Sequence, residues 1–450
     1  MSKRRTTKFW IIFWGISIIF LTGWFLFWQI KNKGFESVVD NLPINEKWKT
    51  LTSLADYLMQ KDGKEKTFLI LFQNNMEIRP GGGYIGSFGI VKIKNGNPEE
   101  IQIHDLSNFD QRIPKIEESP YPIYETLKVK YLGFRDSNFS PNFKTNAEKA
   151  EYFYKLGQGQ ENFDGVIGIT ANVLTSFLKA TGPIQIEGYP GTYADENAIL
   201  ALEYQVEKAY DEQGIEKIER KSVMNDLAKE IIRKVNNLNN SQRIELMKII
   251  MSDLDKKDIQ LYFKDENIQE RVAKVSWEGN VDQNWKNDYL MISDANLGSF
   301  KSDYYVKRSF EYSVDLFQEK PTANLKITYH HTAEQKDWMT KDYQDYLRVY
   351  VPESSWMTDS KNTGEMKFGK EFGKTFFGSL IKIPLGQEKN IEFTYTLPDN
   401  FKNKVYDLKI QKQAGINDVP IKIHVIDKNG IKRNYEIVLN SDVVLSEIEK

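Results

Sequence analysis

The run from Phe9 to Ile30 carries no charged residue and consists mostly of Phe, Trp, Ile and Leu, which leaves few structures open to it. At about 1.5 Å rise per residue a helix of this length crosses a hydrocarbon core of roughly 30 Å. A cleavable signal peptide has a shorter apolar region and ends in small residues, whereas this run ends in Trp28, Gln29, Ile30 and Lys31. Trp10, Trp14, Trp24 and Trp28 sit towards its two ends, where indole rings favour the membrane interface. Lys3, Arg4, Arg5 and Lys8 precede it, so the positive-inside rule retains the N-terminus in the cytoplasm. The expectation is a single-pass cell-membrane protein whose C-terminal region, everything after Lys31, lies outside.

No second apolar run of that length follows, and the rest of the 450-residue chain is long enough for two or three domains. A net charge of −2 argues against a nucleic-acid partner, as does the topology. With no cysteine, the exported region has no disulfide staple, no thiol nucleophile and no cysteine zinc site. The only histidines are His104, His330, His331 and His424, too few for a histidine-rich metal site.

Residues 31–66 read as a stalk with a short helix over 48–59. Phe68 to Phe72 predicts a buried strand, Tyr84 to Lys94 a second ending in the Asn95-Gly96 turn, and Ile101 with Ile103 a third. Ser107 to Asn142, with four prolines and many aromatics, reads as a long ordered loop. Helices are then predicted near 145–156, 171–179, 224–238 and 241–251, with a strand at 165–169. Thr192 and Asp195 resemble a capping box that opens a further helix to about Tyr210. After Asp282 the period changes to two, and eight strands follow, the last pair joined by Asp427-Lys428-Asn429-Gly430. The fold class expected is α/β: a transmembrane helix (9–30), a mixed α/β domain (67–280) and a C-terminal antiparallel β-sandwich (281–450).

The chemistry concentrates at Arg79-Pro80-Gly81-Gly82-Gly83. Gly81, Gly83 and Gly86 satisfy the letters of a dinucleotide fingerprint, but that fingerprint opens a helix and this one precedes a strand. Consecutive glycines can instead aim their N–H groups into one anion-binding concavity, with Arg79 adding a fork matched to phosphate or carboxylate. Equally open is a glycine-rich bulge in which Arg79 pairs with Glu77. Further charges fall at Asp105, Arg135 and Asp136, and at Arg220 and Lys221. These two cations open a helix beside the positive end of its dipole, a cost that a bound anion relieves. Asp105 and Asp136 are the carboxylates of choice for a magnesium ion.

FLILFQNNMEIRPGGGYIGSFG (68–89), FRDSNFSP (134–141), FDGVI (163–167), KATGPI (179–184) and DANLG (294–298) together resemble an uncharacterised bacterial envelope family, the domain of unknown function 4012. More distantly the chain is similar to the LytR-CpsA-Psr proteins, which transfer lipid-linked glycopolymers using arginines for the pyrophosphate and aspartates for magnesium. That resemblance implies that Arg79 matches the first arginine and that Arg220 with Lys221 match a later basic motif. Where that family has an aspartate soon after the first arginine, this sequence has Gly81 to Gly83. The expectation is an extracytoplasmic envelope protein that binds or transfers a lipid-pyrophosphate-linked glycan, with Arg79, Arg135 and Arg220 as clamps. The alternative is a non-enzymatic surface protein serving adhesion or as a scaffold, whose β-sandwich contacts a partner or cell-wall polymer.

Overall fold

The computed structural model describes residues 45–216, 222–403 and 405–446; the apolar run at 9–30 lies outside them. Among the described residues no helix is long and apolar enough to cross a membrane. The chain is mixed α/β with three sheets, and it divides into two compact units that are not contiguous in sequence. The first unit takes residues up to Gln73, then Ile85–Pro114 and Ala147–Gly279. The second takes Asn74–Tyr84, Lys115–Asn146 and everything from Asn280.

In the first unit a five-stranded sheet runs in the order β3-β2-β1-β4-β5. Its strands are β1 (Glu65–Asn74), β2 (Tyr84–Lys94), β3 (Asn97–Asp105), β4 (Gly165–Thr170) and β5 (Ile259–Phe263). β1 and β4 are parallel, with Phe68 opposite Gly165. The β2–β3 turn forms as its residues dictate: Asn95 at φ 51° and Gly96 at φ 79° give the two positive angles of a tight hairpin. Helices α1 (Glu46–Met59), α2 (Phe143–Leu156), α3 (Asn172–Thr181), α4 (Ser222–Asn236), α5 (Asn240–Asp255) and α6 (Glu266–Lys274) supply the layers. Apolar residues of α1, α3, α4, α5 and α6 meet Phe68, Ile70, Ile167, Ile169, Leu261 and Phe263 in one core.

α1 corrects the stalk reading. Asn45 caps it by accepting from Trp48 N at 3.1 Å, and Leu51, Leu54, Tyr57 and Leu58 enter the core. The capping box expected at Thr192 and Asp195 is also absent. Asn197 instead accepts from Ala194 N at 2.8 Å, and the helix begins at Ala198.

The second unit holds two six-stranded sheets, β10-β13-β8-β7-β15-β16 and β11-β12-β9-β6-β14-β17. The strands are β6 (Asp288–Ser293), β7 (Val306–Asp315), β8 (Thr322–His331), β9 (Tyr343–Pro352), β10 (Trp356–Lys361) and β11 (Met366–Glu371). They continue as β12 (Lys374–Ile383), β13 (Glu388–Thr396), β14 (Leu408–Gln411), β15 (Val419–Ile426), β16 (Lys432–Leu439) and β17 (Val443–Leu445). Apolar residues of both sheets form one shared core. Strand direction departs from the purely antiparallel expectation, since β14 runs parallel to β6 and β15 parallel to β7.

β13 and β15 alternate buried and exposed positions, as strands with one wet face must. β6 is buried at every residue because its other face is covered too. Ile123, Leu127, Leu132 and Phe139 pack on Ala295, Leu297 and Tyr346. Val281 and Trp285 pack on Tyr289 and Tyr350.

Candidate functional site

The glycine-rich turn is built into the second unit from its first residue. Asn74 turns the chain by accepting Met76 N on its side chain at 3.1 Å and Glu77 N on its carbonyl at 3.2 Å. Residues 76–78 are then bonded to a segment more than 200 positions later. Asp303 N donates to Met76 O at 3.2 Å, Ile78 N to Asp303 Oδ2 at 3.0 Å, and Asn296 N to Ile78 O at 3.0 Å.

Arg79 is 5% exposed. Its Nη2 donates to Glu77 Oε1 at 2.7 Å, and its Nη1 to the carbonyls of Ile78, at 3.1 Å, and Asn296. Of the two roles open to Arg79, the structure shows the pairing with Glu77. The guanidinium is a strut that ties the turn to the segment at 296, and its fork is turned inward.

The glycines serve the same packing. Gly81 N donates to Asn138 O at 3.0 Å and Gly82 N to Arg79 O at 2.9 Å. A Cβ on Gly81 would lie 2.4 Å from Asn146 Nδ2, and one on Gly83 (φ +155°) 2.5 Å from the Asn74 carbonyl. All three glycines are buried. The anion-binding concavity expected here is therefore filled: two of its N–H groups already serve carbonyls, and the small side chains admit protein rather than ligand.

Arg135 sits half-buried in the short 3-10 turn Phe134–Asp136 and donates to the Tyr84 hydroxyl at 3.2 Å. The Arg79 guanidinium lies 5.6 Å from the centre of the Tyr84 ring, so the structure brings both arginines to one tyrosine, one over its ring and the other at its hydroxyl. Burial raises the Tyr84 hydroxyl above its ordinary range against the opposing charge of Arg135, so it is neutral. Asp136 caps the same turn by accepting Gly133 N at 3.0 Å. Asp105 caps the turn that follows β3 in the first unit, accepting Ser107 N at 2.9 Å. The two carboxylates expected to hold magnesium thus belong to different units and serve local backbone. Among the described residues no three His, Asp or Glu side chains are grouped to hold a metal ion. Arg220 and Lys221 lie outside the described residues.

Sequence reasoning missed the cluster on which the turn rests. Arg308, in β7, donates from Nε to Asp294 at 2.6 Å and from Nη2 to Asp303 at 2.5 Å and to the Tyr343 hydroxyl at 2.8 Å. Tyr329 donates to Asp294 at 2.7 Å. Burial alone would depress Arg308, but Tyr343, Asp294 and Asp303 outweigh it and hold the guanidinium well above its ordinary value. Burial, reinforced by the charge of Asp294, lifts Asp345 well above the ordinary carboxylate value, against the charge of Arg308. Asp303 joins this cluster to the turn, serving Arg308 through one oxygen and Ile78 through the other. The arrangement is buried and sets one guanidinium against Asp294 and Asp303, which fixes the geometry of the segment that receives the turn. The Asp294 to Gly298 string was the available signal, but nothing in the alternating pattern of β7 singles out Arg308.

Among curated proteins none matches the chain. Among the solved structures that resemble part of it are two of bacterial origin. One is the Lin1025 protein from Listeria innocua, with 14% identity over 49% of this chain and 81% of that one at a TM-score of 0.25. The other is the transcriptional regulator yvhJ from Bacillus subtilis, with 12% identity over 48% and 98% at a TM-score of 0.21. Superpositions this loose carry no argument about fold or activity. Residues 63–206 match the model of the family described as Protein of unknown function (DUF4012), so an uncharacterised domain family is what this stretch of the chain is similar to.

Proposed function

We propose that the chain is a membrane-anchored, extracytoplasmic envelope protein that works by non-enzymatic binding, with its second unit as the contact module. The observation that carries this is Arg79: the side chain on which glycan transfer would depend is buried and held by Glu77 and two backbone carbonyls. Transfer from a lipid pyrophosphate needs preorganised donors aimed at the leaving oxygen. Two six-stranded sheets over one core support reading the second unit as a β-sandwich of mixed strand direction. Its exposed Trp356 (74%), Phe317 (65%) and Phe368 (59%) suit a contact surface. The anchor itself rests on the apolar run at 9–30 and the cations before it.

The full-length protein in lipid nanodiscs, given a radiolabelled polyprenyl-pyrophosphate-linked glycan with magnesium, is expected to release no polyprenyl phosphate and to transfer no label. Transfer that disappears in Arg79→Ala would overturn the reading. Protease added to intact cells stripped of their wall is expected to degrade the C-terminal region; full protection would overturn the topology.

A further inference from the structure

The outer face of the β10-β13-β8-β7-β15-β16 sheet carries a pattern the sequence reading left unused. Cross-strand registers place Asn434, His424, Ser313, Asn324, Thr394 and Asp359 side by side in one row across all six strands. At 4.7–4.9 Å between strands this polar row spans ~24 Å. The neighbouring row reads Glu436, Lys422, Glu311, Lys326, Glu392 and Lys361, alternating in sign from one edge to the other. An open groove of about 380 Å³ lies over the polar row, with Ser313, Asn324, His424 and Asn434 in its lining and Asp315 and Lys432 beside them.

We infer that this groove is a binding site for an uncharged polyhydroxylated ligand, a neutral saccharide chain, and the inference rests on the binding role proposed above. Two hydrogen bonds fix how the amides turn. Asn434 Oδ1 is 2.7 Å from His424 Nδ1, which leaves the Asn434 amino group as a donor. Asn324 Nδ2 donates to Thr394 Oγ1 at 3.0 Å, which leaves the Asn324 oxygen as an acceptor. Donor and acceptor three strands apart match hydroxyl groups along an extended chain, which both give and accept.

Charge decides against an anionic ligand. Asp315 offsets Lys432 within the groove, and the ladder beside it cancels strand by strand, so no field of one sign gathers phosphates or carboxylates. Two exposed aromatics flank the polar floor. Phe317 follows β7 directly and lies within 4 Å of a Cβ built on Gly430, in the β15–β16 turn. Trp356 ends the adjacent row, which runs through Asp315, Thr322 and Thr396. Flat apolar faces at a hydrogen-bonding floor match a sugar ring, which is apolar on its C–H faces and polar at its edge.

The test is affinity electrophoresis of the full-length protein in detergent, through gels holding dextran, mannan or galactan, with alginate as the anionic comparator. At least one neutral polymer is expected to retard the protein. Asn434→Ala and the groove-filling Ser313→Tyr each weaken that retardation at least tenfold, while Glu392→Gln, in the charged ladder, leaves it unchanged. Circular dichroism of each variant checks that it is folded, and Trp356→Ala gives a second, exposed probe, expected to weaken retardation severalfold. Retardation by no neutral polymer, by alginate alone, or equally in wild type and folded Ser313→Tyr overturns the inference. Any of these results leaves the non-enzymatic reading standing, which fails only if label is transferred or the topology proves wrong.

Discussion

Replacing Arg79 by alanine removes a cation whose side chain is 6% exposed and leaves Glu77, at 14%, without that partner. The carbonyls of Ile78 and Asn296 lose a donor as well. Breaking a buried, hydrogen-bonded charge pair costs about 3–5 kcal/mol, mostly because the surviving charge is stranded. Each 1.4 kcal/mol is a factor of ten, so the opening equilibrium of the turn shifts by roughly two to four powers of ten. Hydrogen exchange read by mass spectrometry reports this locally: amides of Ile78 and Asn296 are expected to lose protection to that extent in Arg79→Ala. Arg79→Lys retains the charge but not the fork, and falls between. Adding Glu77→Gln to Arg79→Ala recovers part of the loss by removing the stranded carboxylate. Wild-type protection in Arg79→Ala, together with lost affinity for a polyprenyl pyrophosphate, would refute the reasoning and return Arg79 to the role of clamp.

Two further expectations test other parts of the fold. Burial, with the charge of Asp258 adding to it, pushes Asp253 up from 3.8 to about 8, against the hydrogen bond from Ser176. A carboxyl raised on folding contributes stability that is complete below pH 4 and is lost as pH rises towards 8, at 1.36 kcal/mol per unit or about 6 kcal/mol in all. Urea unfolding of the first unit at pH 5 and pH 7 is expected to show Asp253→Asn gaining ~2–3 kcal/mol on wild type over that interval, and parallel curves would exclude the raised value. Gly415 has φ +75°, and a Cβ there would lie 2.0 Å from the Gly82 carbonyl, whereas Gly188 at φ +85° meets nothing within 4 Å. Gly188→Ala is expected to cost the strain alone, about 1 kcal/mol, and Gly415→Ala clearly more, in the same thermal or urea melts.

Local signals carried much of this fold. Phe68 to Phe72, the Asn95-Gly96 turn and the Asp427 to Gly430 hairpin each form where their residues predict, because a two- or four-residue turn decides its own geometry. β6, like β4, is buried on both faces and so lacks the alternation that marks a strand. The helix over 46–59 was recognised, but its role was not: nothing in its own sequence says that Leu54 meets a sheet and not solvent. For Arg79 the deciding partner, Asn296, lies 217 residues away, and no spacing rule reaches that far. Glycines beside an arginine look the same whether they receive an anion or a neighbouring strand of the same chain. Only the contacts of Gly81 with Asn138 and Asn146 separate the two.

Because residues 74–84 and 115–146 belong to the unit completed by the last third of the chain, the order of synthesis matters. Met76 and Ile78 are made early, yet their partner Asp303 follows more than 200 residues later. Until that stretch has emerged, the turn between β1 and β2 carries buried-type apolar groups with nothing to cover them. Contacts this distant slow folding and lengthen the time that sticky surface stays open. A ribosome stalled near residue 290 would release a product whose first sheet can form but whose own hairpin turn is left waiting, a natural target for quality-control proteases.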